Sequence, residues 1–313
     1  MSTVLKRFSL VGVAVALLAT GCASGPAKAG SAAIVGDQAI NLETVQERTV
    51  KVLKKEPAAQ QMQDQGKLDQ VSRLVLSDEI SHKLAERAAQ IENITVDETK
   101  VFDAIKEKGG PEAASKQSEQ DETTIYRRQR DVLVMGELAR RNLSTLEVVI
   151  DFFQVKDPKE AKEKAAEVTA DSSKMSKFVQ EAPRTTSGQQ ASATNQKVRV
   201  TENPSLVHTM LWGVKPGTVV AFPADEQQSS WMVALVKERN KVSPVPGEDE
   251  LAERIDPRLL AAFGLRIAQF HAADQNVEVN PRYGVWDPTD ATIVGNAGER
   301  AGFVGVTSAK NKS

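Results

Sequence analysis

The chain has 313 residues, and its 40 Lys and Arg residues nearly balance its 42 Asp and Glu residues, so the formal net charge is −2. Because the two signs are interspersed, no basic field is available to attract a phosphate backbone, and the composition argues against nucleic acid as a partner. Aromatic residues make up 4% and charged residues 26% of the chain, which favours long solvated helices with modest cores. The length allows two compact domains after an N-terminal leader.

Residues 1–21 have the pattern of a signal peptide. Two basic residues, Lys6 and Arg7, precede an uncharged apolar run that has the length of a signal-peptide core rather than of a membrane span. Residues 19–22, Ala-Thr-Gly-Cys, resemble a bacterial lipobox. That resemblance implies cleavage before Cys22 and a diacylglyceryl group on its sulfur. The alternative is an ordinary cleaved signal that leaves a free thiol.

Lipidation of Cys22 would determine where the protein resides. Each buried methylene contributes about 0.8 kcal/mol, so two acyl chains hold a protein to a bilayer far more firmly than one. We therefore predict an exported lipoprotein on the outer face of the bacterial cytoplasmic membrane, with residues 22–31 as a flexible tether rich in Gly, Ser, Ala and Lys. Cys22 is the only cysteine, which excludes an intramolecular disulfide.

Residues 32–142 are predicted to form a short strand or hairpin followed by four helices. The alternating stretch at 33–40 contains a Gly-Asp turn signal. Asn41 is placed to cap the first helix, which should end near Lys55. The second helix follows from apolar residues that recur at spacings of three and four between Leu68 and Ala88.

The third and fourth helices are predicted from a capping motif and an apolar stripe. Thr95 and Glu98 have the spacing of a capping box, and Gly109-Gly110 would end the third helix. The fourth helix should span about residues 121–141, and its basic run is expected to be a solvated face rather than a phosphate site. The basic run consists of Arg127, Arg128 and Arg130.

From residue 143 to residue 241, strand signals alternate with helix signals. The β-branched and aromatic run Leu146–Val155 predicts a buried strand. Asp157 followed by Pro158 predicts the start of a helix. The remaining predicted elements of this part are a second short helix with Met175 and Phe178, a polar loop at 184–196, a helix at 203–212, and strands at 218–222 and 231–236.

Residues 242–288 are predicted to contain one helix and one strand. The helix should begin at Asp256-Pro257, and the strand should span residues 276–285 with an interruption at Pro281. The Gly-, Lys- and Ser-rich residues 289–313 are predicted to be a disordered tail.

The order of these elements resembles that of the exported foldases typified by SurA and PrsA. The resemblance implies an α+β fold in which a mainly helical chaperone domain is built from both chain ends and a parvulin-like α+β domain is inserted at 143–241. Because the terminal strands would otherwise be lone edges, the strand at 32–40 is predicted to pair with the strand at 276–285. The stretches that carry the resemblance are residues 33–142, the segment 148–239 with its Val155-Lys156-Asp157 and Gly213-Val214-Lys215-Pro216-Gly217 motifs, and the closing motif at 279–287.

The same resemblance implies where a prolyl-isomerase site would lie. Active parvulins hold the proline ring in an apolar pocket and place two histidines near the twisting amide. Matching the strands puts Phe152 and Trp231 at or beside the usual histidine positions, and Val219 and Phe222 near the pocket methionine and phenylalanine. We therefore predict no catalytic residue. The four apolar side chains are degenerate-site positions that either contact peptides or form ordinary strand core.

Other kinds of site find no support in the sequence. The three histidines, His82, His208 and His271, fall on predicted helices outside those strand positions, and none has the spacing of a metal ligand. No phosphate loop, dinucleotide fingerprint or nucleophile beside a base is recognisable. Accordingly, we predict neither a cofactor nor a metal.

The leading functional hypothesis is a membrane-anchored, ATP-independent chaperone for unfolded or partly folded exported polypeptides, with a catalytically inactive parvulin-like unit. Such clients offer apolar segments and free backbone rather than one defined shape. Two alternatives stay open. One is an active parvulin-type peptidyl-prolyl isomerase, and the other is a cell-envelope scaffold lipoprotein that docks one folded partner. The sequence does not define the oligomeric state.

Overall fold

The computed structural model describes residues 30–118, 124–182, 191–224, 230–244 and 255–308. The predicted signal peptide, Cys22 and nearly all of the predicted tether lie outside the described residues. Within them the fold is mixed α and β. The helices are α1 Leu42–Lys55, α2 Pro57–Asp64, α3 Leu68–Ile91, α4 Glu98–Glu107, α5 Pro111–Ser118, α6 Ile125–Leu143, α7 Pro158–Ala170, α8 Lys174–Glu181 and α9 Pro257–His271. The strands are β1 Ser31–Val35, β2 Gln38–Asn41, β3 Leu146–Val155, β4 Ser192–Arg199, β5 Thr218–Pro223, β6 Trp231–Lys241, β7 Val277–Val279, β8 Val285–Asp287, β9 Thr292–Val294 and β10 Phe303–Val306.

Strands from the two ends of the chain share one three-stranded sheet, the terminal sheet, with the order β2-β1-β7. β1 turns into β2 at Gly36, whose φ of 61° suits glycine. On its other side β1 pairs antiparallel with β7, so that Ala33 lies opposite Val279 and Val35 lies opposite Val277. The predicted pairing of the strands near the two chain ends is confirmed. The predicted strand at 276–285 is, however, two separate strands, β7 and β8, with Pro281 between them.

Helix α9 packs against α6 and α3 within the larger hydrophobic core. Gly264 of α9 lies so close to α6 that a Cβ atom at this position would be 1.9 Å from the carbonyl oxygen of Met135. Only glycine therefore allows the two helices to approach this closely. The ring of Trp212 meets Phe263 of α9 edge to face, with centroids 5.7 Å apart. This contact joins α9 to the segment that precedes β5.

A second, five-stranded sheet has the order β10-β5-β6-β3-β4, and all neighbouring strands are antiparallel. Successive side chains along a strand point to opposite faces. One face, with Phe153 and Val233, packs on α7 and α8 in a smaller core. The other face, with Ile150 and Ala234, joins the larger core. The sheet is thus covered on both faces.

Residues 289–308 are ordered, so the prediction of a disordered tail is wrong for them. β9 pairs with β8, and β10 pairs with β5 to complete the five-stranded sheet. The fully buried Asp287 accepts hydrogen bonds from the backbone N–H groups of Thr289 and Ala301 at 2.9 and 2.6 Å. The strands are three and four residues long, too short for their alternation to be recognised locally. β10 is ordered by pairing with the distant strand β5, and β9 is ordered by pairing with β8, its neighbour in sequence.

Two further predictions in the second half of the chain differ from the structure. β4 occupies part of the loop predicted at 184–196, because pairing with β3 overrides its polar composition; residues 183–190 lie outside the described ranges. The helix predicted at 203–212 is instead a pair of 3-10 turns, Pro204–Leu206 and Met210–Trp212.

The N-terminal cap of α4 also differs from the prediction. Asp97, not Thr95, caps the helix, and its carboxylate accepts a hydrogen bond from the backbone N–H of Thr99 at 2.9 Å. Glu98 instead pairs with Arg130 of α6. Helices α2 and α5 have no counterpart among the predicted elements.

The basic run on α6 is not the simple solvated face that was expected. Arg127 donates to both carboxylate oxygens of Glu79 at 3.0 and 2.9 Å, and Arg128 donates to Asp78 at 2.6 Å. Arg48 of α1 is buried and pairs with the same two acids. Because a buried carboxylate must be paired, the two acids of α3 bind cations from both neighbouring helices. This ion-pair network ties α1, α3 and α6 together.

Arg266 of α9 joins segments that are distant in sequence. Its buried guanidinium donates to the backbone carbonyls of His208 at 2.7 Å, Pro288 at 2.9 Å and Thr289 at 2.5 Å, and to the side-chain oxygen of Gln269 at 2.9 Å. Within the described part of the chain no carboxylate lies within 4 Å, and burial lowers the pKa of Arg266 to about 10. Carbonyl dipoles therefore satisfy this cation.

Candidate binding cleft

The four positions predicted from the parvulin resemblance do not form one site. Phe152 and Phe222 belong to the face of the five-stranded sheet that joins the larger core, whereas Val219 and Trp231 belong to the face covered by α7 and α8. Val219 is 0%, Phe222 2% and Trp231 4% exposed. These three residues therefore form ordinary strand core, the second of the two alternatives predicted for them. Of the four positions, only Phe152 is partly accessible. Val219 and Phe222 are an odd number of residues apart on one strand, which separates their side chains.

None of the three histidines lies on the five-stranded sheet. His82 of α3 contacts the Asp131 carboxylate at 2.9 Å, and His271 at the end of α9 contacts Glu92 at 3.0 Å. Burial lowers the pKa of His271 from its usual value and raises the pKa of Asp131. His208 lies in a turn rather than on the predicted helix, and its backbone carbonyl accepts from the buried arginine of α9.

A cleft of about 630 Å³ lies between the terminal sheet and the five-stranded sheet. Its walls are the turn at 213–218, the end of α9 with the residues that follow it, the β8 region and β10. A volume of this size accommodates a small molecule or a few residues of extended peptide. The aliphatic side chains that line the cleft include Val277, Val279, Val285, Val304 and Val306.

Two of the strands that line the cleft are the outermost strands of their sheets. β7 is at the end of the order β2-β1-β7, and β10 is at the end of the order β10-β5-β6-β3-β4. Val306 of β10 is 72% exposed, more than any other large hydrophobic side chain that the structure describes. An edge strand presents unpaired N–H and C=O groups. Over the described ranges no further strand pairs with β7 or β10, so the cleft offers edge backbone groups beside aliphatic side chains.

Two cations border the cleft, and they differ in their partners. Lys215 forms an ion pair with Asp274. Arg300 has no carboxylate within 4 Å among the residues described, and its buried Nε atom has no hydrogen-bond partner among them. Among the described residues, the hydrogen bond that Arg300 makes is through its backbone carbonyl, which accepts from Lys162. Arg300 therefore leaves a positive charge available at the cleft.

A second cavity of about 360 Å³ lies beside the ion-pair network of α1, α3 and α6. Arg48, Asp78 and Arg128 line it, and these groups pair with one another. Because Arg48 and Arg128 both already pair with Asp78, this cavity is a weaker candidate for a ligand site than the cleft between the sheets.

Over the described ranges, no cluster of three or more His, Cys, Asp and Glu side chains is arranged to hold a metal ion. In the same ranges, no helix has both the length and the apolar character needed to cross a bilayer.

The sequence alone does not reveal the cleft between the sheets. Its walls come from segments as far apart as residues 213 and 306, and only pairing of distant strands brings these segments together. The closing motif at 279–287, which carries part of the family resemblance, supplies one wall. The sequence Phe-Val-Gly-Val at 303–306 was available as a signal for β10, but four residues between Gly302 and Thr307 are too few to indicate a strand.

Comparison with known proteins gives one distant likeness. No protein-family profile matches the chain, and no curated protein matches it significantly. The 1.70 Å crystal structure of the peptidylprolyl isomerase PrsA from Bacillus anthracis is similar over 63% of this chain and 94% of that chain, with 16% sequence identity and a TM-score of 0.23. At that TM-score no conclusion about function follows from the likeness.

Proposed function

We propose that this protein is an exported, ATP-independent chaperone that binds unfolded or partly folded polypeptide segments in the cleft between its two sheets. The observation that supports this most directly is the meeting of two sheet edges and several aliphatic side chains in one cleft of about 630 Å³. An unfolded chain offers apolar side chains and unpaired backbone groups, and such a cleft binds both without requiring one sequence. The SurA- and PrsA-like order of elements in the sequence supports the same function.

An aggregation assay tests this proposal. The protein would be the mature chain from residue 22 onward with Cys22→Ser, and light scattering would follow an unfolded client after dilution from denaturant. At a one-to-one ratio, the protein should slow the rise in scattering. Failure to do so in the presence of several unrelated clients would contradict the chaperone function.

Two matched variants locate the activity in the cleft. Val306→Asp places a charge on the exposed edge of β10 and should remove most of the protection, because binding an apolar segment would desolvate that charge. Val50→Asp makes the same change on α1, where Val50 is 48% exposed and does not line the cleft. Equal effects of the two substitutions would contradict the assignment of the cleft as the binding site.

We further propose that lipidated Cys22 tethers the mature chain to the outer face of the bacterial cytoplasmic membrane. The support is the lipobox-like sequence at residues 19–22 and the Gly- and Ser-rich segment after it. Cys22→Ser should move the protein from the membrane fraction to the soluble fraction of the producing cell, with the signal sequence kept intact. A variant that stays fully membrane-bound would rule out this anchor.

In this proposal the parvulin-like unit has a structural and binding role rather than a catalytic one. Phe152 and Trp231 occupy the positions where the family resemblance would place histidines. We therefore expect no acceleration of prolyl isomerisation, which has a barrier of about 20 kcal/mol without a catalyst. A protease-coupled assay on a proline tetrapeptide measures this rate. A clear acceleration by the folded wild-type protein would favour the alternative of an active isomerase.

A further inference from the structure

We propose that client segments bind as an added antiparallel strand on the free edge of β10, with a carboxylate at the C-terminal end of the segment held by Arg300. This inference rests on the proposed chaperone function and specifies its substrate class. The preferred segment is extended, has aliphatic residues at alternate positions, and is followed by an acidic side chain or by the chain-terminal carboxylate.

The backbone N–H and C=O groups of the two valines of β10 are not used in pairing with β5. In an antiparallel ladder, hydrogen-bonded and non-hydrogen-bonded residue pairs alternate. The backbone N–H of Thr307 donates to the carbonyl of Gly217 at 2.9 Å, which fixes the phase of the β10–β5 pairing. Val304 and Val306 therefore occupy the non-hydrogen-bonded positions. Their N–H and C=O groups point away from β5, toward the edge where a further strand would add.

The side chains of β10 define which residues of the added strand meet the cleft. Phe303 packs in the smaller core, whereas Val304 packs against the larger core and, with Val306, lines the cleft. Side chains on one face of neighbouring strands lie side by side. Every second side chain of an added strand would therefore lie in the cleft, opposite Val277 and Val279 of β7. Aliphatic residues at alternate positions meet this requirement.

The position of Arg300 sets the direction and the charge of the segment. Arg300 precedes the first residue of β10 by three positions. In an antiparallel arrangement the C-terminal end of the added strand lies beside the N-terminal end of β10, and therefore near Arg300. Arg300 lines the cleft, and its side chain has no carboxylate partner among the described residues. A carboxylate at that end of the segment would supply the missing charge-assisted hydrogen bonds.

Fluorescence anisotropy measures peptide binding to the mature Cys22→Ser protein. The peptides test the direction of the bound segment and the contribution of its carboxylate together. The forward peptide is acetyl-Thr-Val-Thr-Val-Ser-Glu-amide, and the reversed peptide has the same residues in the opposite order. A third peptide lacks the glutamate and ends in a free C-terminal carboxylate. It shows whether Arg300 binds an acidic side chain or the chain-terminal carboxylate. We expect the forward peptide to bind about tenfold more tightly than the reversed one. Equal affinities would overturn the proposed direction.

Variants of the protein separate backbone pairing from side-chain contact. Val306→Pro removes an outward N–H group but leaves the pairing of β10 with β5 intact, and proline is tolerated on an edge strand in that orientation. It should weaken forward-peptide binding about tenfold, whereas Val306→Ala, which keeps the N–H group, should weaken it about threefold or less. Arg300→Gln should abolish the preference for the forward peptide. If Val306→Pro binds like Val306→Ala, strand addition is wrong.

Two further measurements keep the result interpretable. Circular dichroism and thermal unfolding of each variant establish that it folds, which is expected because Val306 is exposed. Sedimentation tests whether β10 pairs with a second copy of the chain instead, and concentration-dependent dimers that Val306→Pro abolishes would overturn the proposal. The aggregation assay distinguishes failure of the strand-addition proposal from failure of the chaperone proposal. Protection without any peptide preference would refute strand addition alone, whereas directional peptide binding without protection would refute the chaperone function alone.

Discussion

Replacing Gly264 with alanine should destabilise the protein, because α9 and α6 approach each other at this residue. The added Cβ would lie 1.9 Å from the carbonyl oxygen of Met135 and 2.4 Å from its carbonyl carbon. Both are backbone atoms, so no side-chain rotation relieves the clash. Restoring an ordinary contact of 3.4 Å requires the helices to separate by about 1.5 Å. Overpacking of this kind costs about 1–3 kcal/mol or more, and the helix propensity of alanine returns at most about 1 kcal/mol.

A glycine on the facing helix provides a matched control. A Cβ on Gly136 of α6 would meet only the tip of Arg140, at 3.6 Å. Gly136→Ala should therefore stabilise the protein by about 0.5–1 kcal/mol through helix propensity alone. Gly264→Ala should lower the free energy of unfolding by about 2 kcal/mol. Urea denaturation followed by circular dichroism measures both changes as shifts in midpoint at constant slope. If Gly264→Ala is as stable as Gly136→Ala, the close approach of α9 and α6 is wrong.

Three further predictions concern buried charge and strand edges. Arg266→Met leaves several buried carbonyl oxygens without donors and should lower the free energy of unfolding by about 3 kcal/mol; a loss below about 1 kcal/mol in urea titration would contradict the role assigned to this cation. Burial lowers the pKa of His271 below its ordinary value of 6.5, so the unfolded state binds more protons in that range, and the stability contributed by this residue is present above pH 6.5 and lost as the pH falls. His271→Gln should therefore lose less stability than the wild type between pH 7 and pH 5, and identical pH profiles would refute this. Deleting residues 303–313 exposes the apolar edge of β5 and should cause aggregation measurable by light scattering, whereas a soluble monomer would show that β10 is dispensable.

Elements with strong local signals are predictable from this sequence. The limits of β3, Leu146–Val155, match the β-branched and aromatic run. Asn41, Asp157 and Asp256 cap α1, α7 and α9 as predicted, each by accepting a hydrogen bond from a backbone N–H within three residues. A cap is decided by side-chain chemistry within one turn of the helix, so it can be identified without knowledge of the fold.

Elements that depend on distant partners are not predictable in the same way. β4 is polar over much of its length, and β10 is only four residues long; both are strands because a neighbouring strand offers its hydrogen bonds. The pairing of β1 with β7 was predicted from the family resemblance, and the lone edges of the two strands supported it. The cleft combines these non-local pairings, whereas the four positions given by the family resemblance lie on the five-stranded sheet, and three of them are buried there.

The placement of β7 and β10 has a consequence for how the molecule forms. Each of the two larger sheets receives a strand from the last forty residues of the chain. A polypeptide made from its N-terminus therefore cannot finish either sheet until β7 and β10 have been made, and long-range pairing of this kind is slow. Until then both sheets keep an unpaired edge, and the growing chain lacks its final tertiary structure.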